Sequence, residues 1–413
     1  MSELIRGNAI VGQSGGPTAA INATLAGVIR GAQKAKEEGK IGTLVGMYHG
    51  IEGALADELI DLLLLFDNEK ILHDLELTPA AALGSCRKKL PKDPEDPLYD
   101  TLFANFEKNN IRYFFYIGGN DSMDTVDKLS KAAVLRKYPI IINGVPKTID
   151  NDLAGMDHTP GFGSAAKYIA VSMSEIIADC SVYQIPAVTI VEIMGRDAGW
   201  LTAAAALPWL ANGAGPDYVY LPEVPFSVEN FYADVERALA QHPNVVIAVS
   251  EGVRNADGEY VGAMGQTGAV DAFGHKYLAG TAKVLTEMVK ERFGCKVRAI
   301  ELNLPQRCAS HLASATDLAE SAGVGAHAVE MAIDGVTGCV ATIDRVDGEE
   351  YSVAFGHHNV SEVANQIKLV PLSFISEAGN AVTEECLKYL LPLIQGERKG
   401  RQINGMPYHI RLK

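Results

Sequence analysis

Short apolar runs alternate with amphipathic stretches along this chain, and each run breaks at a turn rich in glycine or in charged and amide side chains. Asn8 to Gly12 reads as a buried strand. The turn Gln13-Ser14-Gly15-Gly16-Pro17 follows, then a helical pattern with Ile21, Leu25, Val28 and Ile29 on one face, then a second apolar run from Ile41 to Met47. The unit recurs. Tyr113 to Ile117 breaks at Gly118-Gly119 and leads into a helix carrying Met123, Val126 and Leu129. Pro139 to Ile142 ends at Asn143-Gly144. The clearest helical period spans 162–180, with Phe162, Ala165, Ala166, Ile169, Ala170, Met173, Ile176, Ile177 and Cys180 at three- and four-residue steps. Further on, Ala187 to Ile193, Tyr218 to Leu221 and Val245 to Val249 read as strands. Glu229 to Leu239 and Thr281 to Phe293 read as helices. Strands separated by helices imply parallel sheets covered on both faces, so the expected class is α/β. Leu90 to Pro97, with three prolines and four charges, is expected to be a surface loop, and the basic stretch Glu397 to Arg401 a solvated tail. No internal repeat or low-complexity linker stands out.

At 413 residues the chain is long enough for two domains. Its 36 basic against 51 acidic residues give a net charge of −15, which argues against nucleic acid as a partner. It also requires any anion-binding site to concentrate its cations locally. Apolar runs such as Leu62 to Phe66 are far shorter than the roughly 20 residues a membrane span needs. The first residues lack the apolar core of a secretion signal. Cys86, Cys180, Cys295, Cys308, Cys339 and Cys386 are widely dispersed, so they are expected to be reduced thiols of a cytoplasmic protein.

The chemistry is expected where strands end. Gly12 to Pro17 could cradle a phosphate on backbone N–H groups, and could equally be a ligand-free turn. Gly118-Gly119-Asn120-Asp121-Ser122 also opens a helix. Asn120 and Asp121 could hold Mg2+ through oxygen, or Asp121 could simply complement the helix N-terminus. Asp124 and Asp127, further along, read as solvated. Lys147-Thr148-Ile149-Asp150-Asn151-Asp152 gathers a cation, a hydroxyl and two carboxylates at one strand end, where open α/β sheets bind ligands. An Asp there can take a proton from a substrate hydroxyl and a Lys can offset charge on a phosphoryl group. Met194-Gly195-Arg196 and Glu251-Gly252 place polar groups at two more strand ends. Arg298 and Arg307 suit a dianionic phosphate, although by spacing alone a surface pair is the simpler reading. Ser85 to Lys89 contains the densest basic cluster, with Arg87, Lys88 and Lys89.

Taken in order from Gly12 to about Arg307, these motifs resemble the phosphofructokinase family. The resemblance implies two Rossmann-like three-layer domains with mostly parallel sheets and the active site in the cleft between them. It implies a phosphoryl-donor domain of residues 1–162 plus about 305–357, a sugar-phosphate domain of about 163–304 plus 358–390, and a C-terminal tail of 391–413. It also implies roles. Gly12 is similar to the donor-phosphate glycine and Arg87 to the cation spanning the donor, with Gly119, Asn120 and Ser122 around it. Asp150 matches the base that takes the sugar 1-hydroxyl proton, flanked by Thr148 and Asp152. Met194, Gly195, Arg196 and Glu251 match the fructose contacts. Arg298 and Arg307 match 6-phosphate ligands, one of which the family often supplies across a subunit contact.

Two residues bear on the donor. ATP-using members typically carry Gly-Gly-Asp-Gly where this chain has Gly-Gly-Asn-Asp, and an Asp at the position of Asp121 fills the space of the ATP α-phosphate with like charge. Lys147 matches the lysine associated with pyrophosphate. The resemblance therefore implies the pyrophosphate-dependent branch, reversible, using Mg2+ held by Asp121 and Asn120, acting on fructose 6-phosphate as a homodimer or homotetramer in glycolysis. Two departures bear on the acceptor: Ala187 stands where an arginine that grips the 6-phosphate is common, and Leu304 where His or Tyr is common. An ATP-dependent enzyme, a kinase of another sugar phosphate such as sedoheptulose 7-phosphate, and a non-catalytic sugar-phosphate-binding subunit are the competing readings. A nicotinamide-binding dehydrogenase is set aside for want of its glycine fingerprint.

Overall fold

A computed structural model describes residues 6–263 and 280–412. In chain order the principal strands are β1 (Asn8–Gln13), β2 (Leu44–Met47), β3 (Leu59–Asp61), β4 (Ile111–Gly118), β5 (Ile141–Pro146), β6 (Ala187–Ile193), β7 (Tyr218–Tyr220), β8 (Asn244–Ser250), β9 (Lys296–Glu301), β10 (Cys339–Arg345) and β11 (Val353–Asn359). They form a seven-stranded sheet, order β11-β10-β5-β4-β1-β2-β3, and a four-stranded sheet, order β7-β8-β6-β9. The smaller sheet is wholly parallel. The larger is parallel except at its two edges, where β3 and β11 run antiparallel. The fold is α/β, as its sequence periodicity implies. The first sheet takes strands from both ends of the chain and the second from its middle, so the chain crosses between them twice.

Away from the edge strands both faces of each sheet are buried, which is why the inner strands read as nearly continuous apolar runs rather than alternating ones. In the larger sheet Ala9, Val11, Tyr113, Phe115 and Ile117 face one core, while Ile10, Phe114, Tyr116 and Ile142 face the other. In the smaller sheet Val191, Ile193, Val246 and Ala248 face one core, and Val188, Ile190, Ile247 and Val249 the opposite one. Helices Ile21–Glu37 and Ala315–Ile333 cover the larger sheet and touch almost backbone to backbone. A Cβ on Gly27 would lie 2.0 Å from the Ala322 carbonyl oxygen, and one on Gly325 2.2 Å from that of Thr24. Only glycine permits that approach.

The helices Phe162–Cys180 and Thr281–Phe293 occupy their expected ranges. β5 does not end at Asn143-Gly144 but continues to Pro146. The apparent breaker Asn143 is buried, its amide donating to Val336 O (2.8 Å) and its Oδ1 accepting from the Cys339 N–H (3.2 Å). The tail is exposed at Glu397, Lys399, Gly400 and Arg401, as expected, but it is tethered: Arg398 pairs with the buried Glu76 at 2.8 Å and Arg401 with Asp74 at 3.0 Å. A buried carboxylate needs cations, and Glu76 draws on Arg30 as well. Asp124 and Asp127 pair with Lys128 and Lys131, one helical turn along, at 2.6 Å each.

Candidate active site

The C-terminal ends of strands from both sheets border one cleft of about 380 Å3. Its floor is the segment that follows β5. Lys147 is buried there, and its Nζ donates to Ser14 O (2.9 Å) and Gly16 O (2.6 Å), tying the end of β5 to the turn after β1. Burial lowers its pKa to about 8, opposed by the Asp150 carboxylate and reinforced by Arg307. Asp150 responds in the opposite sense. Burial first, then Asp152, Glu251 and Asp197, push it up to about 7, against the pull of Lys147. Burial raises Asp152 too, so the two carboxylates titrate as a pair. Thr148 orders the turn: its Oγ1 accepts the Asp150 N–H at 3.1 Å and it bonds the Asp152 carboxylate.

One end of the cleft is basic. Arg87, Lys88 and Lys89 approach Ser14, Gly15 and Gly16, with Gly119, Asn120, Asp121 and Ser122 opposite. Hydrogen bonds hold the two loops together: the Gly15 N–H donates to Cys86 O (3.2 Å), and Ser85 Oγ donates to Gly15 O (2.6 Å). Buried Gln13 braces them from below, accepting the Leu83 N–H at 2.9 Å and donating to Asn22 Oδ1 at 2.9 Å. Asp121, in the first turn of helix Asn120–Arg136, lies 3.3 Å from Lys89 Nζ, both side chains about half-exposed. Asn120 Oδ1 is buried without a hydrogen-bond partner among the described residues.

The other end is built from Met194, Arg196, Asp197, Glu251 and Arg307. Gly195 has φ +125°, a conformation closed to other residues, and it turns the chain sharply after β6. Its N–H donates to Glu251 Oε1 (3.3 Å) and its carbonyl accepts from Ser250 Oγ (2.6 Å), which joins the ends of β6 and β8. Burial raises Glu251, offset in part by that N–H and by Arg196. The buried Nε of Arg196 has no protein acceptor among the described residues. Gln306 accepts the Met194 N–H at 3.1 Å and so anchors the neighbouring Arg307. Burial, then repulsion from Arg87, lowers the Arg307 pKa. Among the described residues, six cations and five carboxylates line the cleft of a chain whose net charge is −15, so this lining is locally near neutral while the acid excess lies elsewhere.

The fold brings together Arg87, Gly119, Asn120, Asp121, Ser122, Lys147, Thr148, Asp150, Asp152, Met194, Arg196, Glu251 and Arg307. Three expected residues do not line it, one of them being Gly195, which lies between the lining residues Met194 and Arg196 and turns the chain there. Gly12 is buried inside β1, where a Cβ would meet the Met47 side chain at 2.4 Å, and it is the next turn, Ser14 to Gly16, that reaches the cleft. Arg298 lies outside the cleft on edge strand β9, partly exposed and 3.7 Å from Asp179. Neither Ala187, at the start of β6, nor Leu304 lines the cleft. The sequence reading missed Asp197, for which the sequence carries no signal beyond its place next to Arg196.

A family model described as "Phosphofructokinase" matches residues 8–332. The chain belongs to the phosphofructokinase family. It is 42% identical over 404 residues to a pyrophosphate–fructose 6-phosphate 1-phosphotransferase of Halomonas elongata, covering 97% of this chain and 94% of the relative. A protein of the same name from Methylococcus capsulatus is 39% identical, with 98% and 96% covered. The crystal structure of a pyrophosphate-dependent phosphofructokinase from Nitrosospira multiformis superposes with a TM-score of 0.87 at 38% identity, covering 98% of this chain and 96% of that one. The phosphofructokinase motifs read from the sequence thus fall on the strand ends that border the cleft.

Proposed function

We propose that this chain is a phosphotransferase that moves a phosphoryl group from pyrophosphate to the 1-hydroxyl of fructose 6-phosphate, reversibly, giving fructose 1,6-bisphosphate and phosphate. The observation that carries the donor is the presence in one cleft of the Asp121 carboxylate, beside Lys89 at its basic end, and the buried Lys147, whose Nζ is tied to the Ser14–Gly16 turn. Pyrophosphate needs cations and no room beyond its second phosphorus. A nucleotide would bring a third phosphate towards a fixed negative charge.

Asp150 takes the proton of the 1-hydroxyl. The hydroxyl oxygen bonds to the near phosphorus, the bond to the bridging oxygen breaks, and phosphate leaves. In reverse Asp150 returns the proton. A base raised to about 7 by burial and like charges suits both directions near neutral pH. Arg87, Lys147 and Arg307 offset charge on the transferring and flanking phosphates. Arg196, Glu251 and the Met194–Gly195 turn hold the sugar.

Mg2+ would supply further charge neutralisation on pyrophosphate. The unpartnered Asn120 Oδ1 and the Asp121 carboxylate fit one or two protein ligands, the rest coming from pyrophosphate and water. Arg298, outside its own cleft, would serve the 6-phosphate site of a neighbouring copy if the protein is a homodimer or homotetramer. The six unpaired cysteines suit a reducing cytoplasm. No described helix is long and apolar enough to cross a membrane.

The deciding experiment compares pyrophosphate with ATP at matched Mg2+, using fructose 6-phosphate and sedoheptulose 7-phosphate as acceptors. Preference for pyrophosphate with fructose 6-phosphate is expected. Preference for ATP sinks the donor, and preference for the seven-carbon sugar sinks the acceptor.

A further inference from the structure

The segment 367–370 buries its charge and exposes its oil. Ile367 and Leu369 are 51% and 52% exposed, whereas Lys368 between them turns inward and Val370 is buried. Alternation in an extended chain explains why the four residues take turns, but not why a lysine occupies an inward place. Its contacts do. Lys368 Nζ donates to Asp157 O (2.6 Å), Asn151 Oδ1 (3.2 Å) and Met156 O (3.3 Å). Its backbone N–H donates to Asp152 O at 2.8 Å. All four donors of one residue therefore end on 151–157, the loop that leaves Asp150.

That loop needs holding. Asn151 has φ +54°, in the left-handed region, and is fully buried. Its Oδ1 also accepts the Thr159 N–H (3.1 Å), and its Nδ2 donates to Tyr389 Oη (3.2 Å). Lys368 is fixed in turn: the Trp200 indole N–H donates to its carbonyl (2.9 Å), and its ammonium sits 5.1 Å from the Trp200 ring centre. Lys368 lies beyond residues 8–332, the segment that matches the family model.

We propose that Lys368 is a positioning residue for phosphoryl transfer, clamping the loop 151–157 so that the carboxylates of Asp150 and Asp152 keep their place on the cleft floor. It does not line the cleft. Its cation also favours the ionised form of Asp152, which otherwise faces Asp150 and Asp197. Lys368 itself faces Asp152, Asp157 and Arg345. The inference rests on the roles given above to Asp150 and Asp152.

The test uses the intact chain with Lys368→Met and Lys368→Arg, folding being checked by circular dichroism at the assay temperature. In Lys368→Met, kcat is expected to fall about 30-fold, because a small displacement of reacting groups can cost on the order of 100-fold. The KM values for pyrophosphate and fructose 6-phosphate should change less than about threefold, since Arg196 and Arg307 are untouched. The acid limb of kcat should move to higher pH, as loss of the cation makes Asp152 harder to ionise. Lys368→Arg should recover most of kcat with the limb in place. A folded Lys368→Met with wild-type kcat overturns the proposal, as does a loss matched by the unfolded fraction with the acid limb unmoved. If Lys368→Met does not fold, Lys368→Gln, which keeps two donors without the charge, is judged by the same criteria. Failure of both to fold makes the lysine structural and also overturns it. Asp150→Asn separates this outcome from the underlying reading: if it stays active the role of Asp150 fails, and if it is dead while the Lys368 variants are normal, only the clamp fails.

Discussion

Replacing Asp121 by glycine should admit ATP. Two unit charges 4 Å apart interact by about 1 kcal/mol in water and by about 4 kcal/mol at the effective dielectric near a protein surface. The Asp121 side chain is 57% exposed and stands 3.3 Å from the Lys89 ammonium, and both facts weaken its field. A repulsion of about 1–2 kcal/mol towards the extra phosphate follows, which is about 5- to 30-fold in kcat/KM for ATP. The substitution also loses the Lys89 pair, worth roughly 0.2–1 kcal/mol at an exposed site, and an acidic group in the first turn of helix Asn120–Arg136, worth a further 0.3–1 kcal/mol or so. The melting temperature should therefore fall by only a few degrees. The assay is initial rate against donor concentration for pyrophosphate and ATP, with fructose 6-phosphate saturating and free Mg2+ matched. A folded Asp121→Gly whose ratio of pyrophosphate to ATP use stays within about twofold of the parent would refute electrostatic exclusion.

Four further outcomes are expected. Asp150→Asn should lose about 100- to 10,000-fold in kcat while calorimetry still detects fructose 6-phosphate; near-normal turnover removes it as the base. The rate kcat/KM should rise with pH through about 7 as the Asp150–Asp152 pair loses its proton, and fall through about 8 as Lys147 loses its own. Asp152→Asn deletes a like charge and should move the acid limb to lower pH, so an unmoved limb contradicts the coupling. Glu76→Ala deprives Arg30 and Arg398 of a shared buried partner, although Arg30 keeps Glu69, and should cost about 1.5–3 kcal/mol, with earlier tryptic cleavage after Arg398 and Arg401; a protected tail would show that other contacts hold it.

The motifs were legible because strand-end chemistry in an open α/β fold is local. Lys147 to Asp152 lie within six residues, and one parallel sheet suffices to aim them at a ligand. Elements with mixed signals were not legible. Edge strand β9 carries three charges in six residues, Lys296, Arg298 and Glu301, and β11 ends in Gly356-His357-His358-Asn359. The break expected at Asn143 fails because its amide is satisfied by residues near 336 and 339, almost 200 positions away. Arg298 and Arg307 look equivalent in sequence. Only the edge position of β9 separates them, sending one to the surface and leaving the other, held by Gln306, in the cleft.

Sequence alone determined the fold class, the family and most residues of the cleft, because periodicity and short motifs are written in neighbouring residues. Tertiary structure decided what depends on distant parts of the chain. It replaced Gly12 by Ser14 to Gly16 as the turn that reaches the cleft, since the Cβ direction of Gly12 faces Met47. It tuned Asp150 and Lys147 towards neutral pH, because desolvation depends on what the whole molecule packs around a charge. It also brought Lys368, more than 200 residues downstream, beneath the loop that carries Asp152. No local pattern announces an inward-facing lysine; its place is set by three oxygen acceptors that converge only when the chain is folded.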